Sequence, residues 1–143
     1  MQVKWPSLPL LIVFACAATV QGQRATAEKT LDFVTFRARI EPIFLAPRGD
    51  HARCYACHSQ GTPLRLQELS PGAMSWSEEQ SRLNFAAVQR VVVPGQPKIS
   101  PLLLMPLAHE AGGTEFHPGG KHFLSMDDPE AKAIVDWING AAD

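Results

Sequence analysis

The string Cys54-Tyr55-Ala56-Cys57-His58 constrains this chain more than any other feature. The chain has 3 cysteines, and Cys16 falls in an apolar leader that is read below as removed. Cys54 and Cys57 are then the remaining thiols, three positions apart. A disulfide between them would close so small a loop that it would stabilise almost nothing, because that stabilisation grows with loop length. The pair is better explained by chemistry than by stapling. A redox-active dithiol is one chemistry, but it belongs in a βαβ setting that the pattern of this chain lacks. Zinc is another, and it would need two more ligands from His51, His109, His117 and His122, whose spacings match no common finger. The third is covalent attachment of haem, for which Cys-x-x-Cys-His is the attachment string.

Haem accounts for the spacing. Each thiol adds to one vinyl group of the porphyrin, so two thioethers must sit on one edge of the ring. Two intervening residues set the sulfurs at about the vinyl separation, and the next residue can turn its imidazole beneath the ring to bind iron. Cys54 and Cys57 are therefore the attachment residues of a single haem c, and His58 is its proximal ligand. Tyr55 and Ala56 fill the variable positions and carry no diagnostic weight. An export leader, no spare cysteine and a loop-rich chain favour haem over zinc and dithiol chemistry.

At 143 residues the chain has room for one domain. Residues 1–22 have the anatomy of a secretory signal peptide: Lys4 at the start, an uncharged apolar run from Leu8 to Val20, then small residues at Ala17, Ala18 and Gly22. The run is shorter than the roughly 18–20 residues of a spanning helix. Cleavage leaves a single domain at 23–143, in the periplasm or another extracytoplasmic space, with no integral membrane span. Cys16, preceded by Val13-Phe14-Ala15, resembles a bacterial lipoprotein signal, which would tether the protein through a lipid anchor. The plainer reading is a small apolar residue in a discarded segment. A net charge of −1 with both signs interspersed points to neither nucleic acid nor an anionic membrane surface.

With 12 prolines and 10 glycines the domain holds few long periodic segments, and a covalently held haem would serve as its staple. Leu31, Val34, Ile40, Ile43 and Phe44 fall near helical spacing and predict a helix at about 30–40 that runs into Pro42. Pro47-Arg48-Gly49-Asp50 reads as a turn. Ser77 to about Val92 reads as a second helix, capped by Ser77 with Glu78 and Glu79 in its first turn. Ser100-Pro101 begins a short apolar piece to Leu107, and 108–125 is loop. Asp127-Asp128-Pro129-Glu130 starts a last helix whose stripe is Ala133, Ile134, Trp137 and Ile138, ended by Gly140. The fold class expected is all-α, a small helical domain with long loops around one covalent haem.

The exported part resembles the planctomycete-type group of small cytochrome c domains. The shared features are Ile40-Glu41-Pro42-Ile43-Phe44, the Cys54–His58 motif, Leu64-Arg65-Leu66, Val92-Val93-Pro94-Gly95, Pro97 and Ser100-Pro101-Leu102. They finish with Phe116-His117-Pro118-Gly119-Gly120-Lys121 and Asp136-Trp137-Ile138-Asn139-Gly140-Ala141. The resemblance implies a cytochrome c-like fold, an early and a late helix crossing beside the haem, and an electron-transfer role with redox proteins as partners.

The sixth iron ligand is drawn from Met74, Met105, Met126, His51, His109, His117 and His122. Related domains carry a Met-Pro pair ahead of the last helix, and counting back from Trp137 puts His117-Pro118 there. His117 is thus the first choice, and two histidines give a lower potential than His with Met. Met105-Pro106 is the alternative distal ligand; Met126 reads as a staple of the last helix. Phe33, Phe36, Trp137 and Ile138 suit haem-pocket walls or, equally, a helix–helix core. Arg53, Arg65 and Lys121 are candidates to pair with the propionates or are ordinary surface charges. The function expected is electron carriage rather than catalysis. The alternatives are a peroxidase-like haem enzyme or gas sensor with an open sixth position, and an accessory subunit serving a partner enzyme.

Overall fold

A computed structural model describes residues 1–2, 29–49 and 51–141. The leader expected at 1–22, apart from its first two residues, and Cys16 with it, lie outside the described residues.

The first helix, α1, spans 33–45. Asp32 starts it by accepting a hydrogen bond from the Thr35 N–H at 2.6 Å. Pro42 does not stop it. Proline lacks an N–H and its ring crowds the carbonyl four residues back. The chain makes room with a π turn at Phe36–Ile40, in which the Glu41 N–H reaches back to the Phe36 carbonyl, and then continues as Glu41–Leu45. The short helix α2 is Cys54–His58 itself.

Helix α3, Glu78–Gln89, opens on a reciprocal cap: Gln80 N–H donates to Ser77 Oγ at 3.2 Å, and Ser77 N–H to Gln80 Oε1 at 3.0 Å. Helix α4 is Pro101–Leu104. Helix α5, Pro129–Ile138, is capped by Asp128 with Pro129 in its first turn. It ends on Gly140 at φ +80, where Gly140 N–H bonds the Trp137 carbonyl and Ala141 N–H the Asp136 carbonyl. Only glycine adopts that backbone readily, and the two bonds satisfy carbonyls the helix leaves open.

Helices α1, α3 and α5 meet in an aromatic core. Phe36 lies 5.6 Å from Trp137 and 5.2 Å from Phe85, ring centre to ring centre. The Trp137 indole N–H donates to the Asp32 carbonyl at 2.8 Å. Phe36, Trp137 and Ile138 are buried here and Phe33 stacks at the edge, so these four residues lie at the helix crossing. Glu41 is buried in the same region and accepts from Ser81 Oγ at 2.7 Å and Asn84 Nδ2 at 3.1 Å. The described residues are helical and contain no strand, only the isolated bridges Arg48–His51 and Leu107–Phe123. Among them no helix is long and apolar enough to cross a membrane.

Candidate functional site

Helix α2 presents Cys54 half-buried and Cys57 exposed, both as free thiols. Burial pushes the Cys54 thiol above its ordinary range, against the pull of the Arg48 guanidinium beside it. His58 closes the helix. Its Nδ1 lies 2.8 Å from the Leu64 carbonyl and 2.8 Å from Thr62 Oγ1. A carbonyl only accepts, so Nδ1 carries the proton and Nε2 keeps its lone pair free. Burial is the main reason that the His58 imidazole sits below its usual pKa, so the neutral, ligating form is favoured. The segment after the motif is clamped over it. Leu66 N–H donates to the His58 carbonyl at 2.7 Å, and Leu69 N–H donates to the Tyr55 hydroxyl at 2.9 Å. Tyr55 therefore anchors this cover, a role that its variable motif position does not announce.

The structure brings His117 to His58. Their rings lie 6.3 Å apart, centre to centre, with 22° between the planes. His117 Nδ1 lies 2.7 Å from the Gly120 carbonyl, so it too donates and leaves Nε2 free. Imidazoles on opposite sides of one metal ion, each bound through Nε2 at about 2 Å, have centres about 6 Å apart. The separation, the ring planes and both tautomers fit a group held between two histidines. The glycines after Pro118 are needed for this. A Cβ on Gly119 would sit 3.3 Å from the His117 ring, and one on Gly120, at φ +90, only 2.7 Å from the His51 ring.

The remaining candidates are placed differently from one another. Met105 has its sulfur 3.6 Å from Thr114 Oγ1. Met74 is exposed, Met126 packs against the core, and His109 is exposed in a short 3₁₀ turn. His51 and His122 join the histidine cluster: His122 stands edge-on to His51 at 5.4 Å and to His117 at 6.1 Å. Burial first, then the Arg48 charge and the neighbouring rings, lower the His122 pKa to about 4. Among the described residues no three His, Cys, Asp or Glu side chains group as a metal cluster of their own.

Of the basic residues considered for propionates, Arg53 and Arg65 are exposed. Lys121 is not an open cation: its ammonium is held by the Met105 carbonyl and Thr114 Oγ1, each at 3.0 Å, and by the Thr114 carbonyl. It ties the two ends of the His117 loop together. The basic residue buried beside the site is Arg48, bonded to Glu130 and to the Ile43 carbonyl. The sequence showed it only as part of a turn, between Pro47 and Gly49, and nothing in that setting marks a buried cation. Comparison with protein-family models, with curated proteins and with solved structures returns no match.

Proposed function

We propose that this protein is an exported, single-haem c-type cytochrome that carries electrons, with haem attached at Cys54 and Cys57 and iron held between His58 and His117. The observation that carries the reading is the facing histidine pair, with both Nδ1 atoms donating to backbone carbonyls and ring centres 6.3 Å apart. The crossing of α1 and α5 supports a cytochrome c-like domain of the planctomycete type, and the leader at 1–22 supports a place outside the cytoplasm.

Attachment needs no oxidant: each S–H adds across a vinyl double bond, sulfur bonding one carbon and the proton going to the other. When bound, the haem supplies a one-electron ferric/ferrous couple, which two histidines set lower than His with Met. The chain's part is to hold the two imidazoles in fixed tautomers and orientations. The Leu64 and Gly120 carbonyls do this and raise the basicity of each Nε2. Redox proteins are the partners on this reading.

The test is the visible spectrum of protein produced with a c-type maturation system, as wild type and as His117→Ala. Covalent haem with sharp low-spin bands in the wild type, turning high-spin in the variant, is expected. An unchanged variant spectrum removes His117 and makes Met105 the next substitution. A high-spin wild type that binds carbon monoxide readily favours an open-site enzyme or sensor. No covalent haem overturns the proposal.

A further inference from the structure

Two side-chain nitrogens in the described structure are buried without a hydrogen-bond partner, Arg48 Nε and His122 Nδ1. They belong to neighbouring groups. The Arg48 guanidinium lies over the Phe123 ring, 5.7 Å from its centre, and Phe123 follows His122. The rest of Arg48 is committed: Nη1 to Glu130 of α5, and Nη2 to the Ile43 carbonyl at 2.8 Å. Its side chain is only 9% exposed. An unmet donor in such a place is costly, and native proteins seldom keep one.

The Arg48 Nε–H and, in the tautomer that protonates Nδ1, the His122 N–H of a neighbouring group suit an acceptor with two oxygens, a carboxylate. Among the described residues neither nitrogen has an acceptor. Glu130 is already on Nη1, and Glu41 is taken by Ser81 and Asn84. The site adjoins His117, against which the His122 ring stands, and Cys54, beside which Arg48 lies. The bound group on the reading above carries two carboxylates of its own. We infer that Arg48 Nε–H and His122 Nδ1–H together receive one propionate of the haem. This inference rests on the haem reading. It replaces Arg53, Arg65 and Lys121, which are exposed or engaged, with two side chains whose free nitrogens are buried.

The experiment is resonance Raman spectroscopy of the haem-loaded protein as wild type, Arg48→Lys and His122→Phe. Lysine keeps the charge facing Glu130 but has no Nε–H. Phenylalanine keeps the ring volume and leaves the His122 backbone bond to the Pro106 carbonyl in place. The propionate bending bands are expected to shift in both variants while the spin-state marker bands stay where they are. Propionate bands that do not move in either one of the variants overturn the two-donor site, even with haem and low-spin ligation intact. Wild-type protein without covalent haem overturns the reading beneath it instead. Should Arg48→Lys fail to fold, His122→Phe decides alone.

Discussion

At the crossing of α1, α3 and α5 the contacts are side chain on side chain: Phe36, Phe85 and Trp137 pack ring to ring in a buried core. In the loop from 104 to 123 nearly every hold is on a backbone oxygen. Thr114 N–H bonds the Leu104 carbonyl, Ala108 N–H the Phe123 carbonyl and His122 N–H the Pro106 carbonyl, and Lys121 binds two carbonyls more. The first kind of region resists unfolding through buried apolar area. The second fixes one direction, that of His117, through these backbone bonds, and it touches the core through Leu107 and Phe123 at its ends. Damage to the crossing should therefore cost stability, and damage to the loop should cost ligation.

The largest effect expected is that of Trp137→Ala. The side chain is 1% exposed and loses both its packing and its bond to Asp32, a cost of about 3–5 kcal/mol. On the haem reading, urea unfolding should show the midpoint fall while the folded fraction keeps the wild-type spectrum. A spectral change without loss of stability would break the comparison. Lys121→Met comes next. It strands the Met105 and Thr114 carbonyls and the Thr114 hydroxyl at about 1–3 kcal/mol, felt within the loop. Carbon monoxide should bind faster than in the wild type, with the urea midpoint moving less than for Trp137→Ala. An equal midpoint shift with unchanged carbon monoxide binding would show that the loop is ordinary core.

The smallest effect belongs to the cap of α1. The Thr35 backbone N–H is the main reason that the Asp32 carboxyl lies below its ordinary 3.8. The folded state therefore binds that proton less readily than the unfolded chain. The cap's contribution is complete above the ordinary value and is lost as pH falls through the lowered one. Asp32→Ala should cost about 1 kcal/mol without touching the spectrum. Asp32→Asn, which still caps, should lose this part of the acid sensitivity. Urea midpoints at pH 5 and pH 3 separate the two.

The same division decides what could be read from the sequence. Ser77 with Gln80, and Asp128 with Pro129, are local signals, and α3 and α5 start where these place them. Pro42 misleads because its usual consequence is avoided by one wide turn, which depends on packing and leaves no local mark. His58 and His117 could be singled out in the sequence because an imidazole is a ligating side chain, and the structure brings the two rings together. Their partners are not, since the Leu64 and Gly120 carbonyls are groups that every residue possesses. Lys121 and Arg48 are ordinary basic residues until the fold buries one and ties down the other.

Glu41 has a consequence for helix register. Its carboxylate is met by Ser81 and Asn84 on successive turns of α3, and Asn84 Oδ1 accepts in turn from Gln67 N–H at 2.7 Å. Apolar faces alone would tolerate α3 sliding along α1, since one greasy ridge fits a groove much like the next. A slip of one turn would carry Ser81 and Asn84 about 5.4 Å away and leave a carboxylate stranded among hydrocarbon. The buried acid acts as an indexing pin, and through Gln67 it also sets the height at which the strip from Leu64 to Leu69 crosses α2.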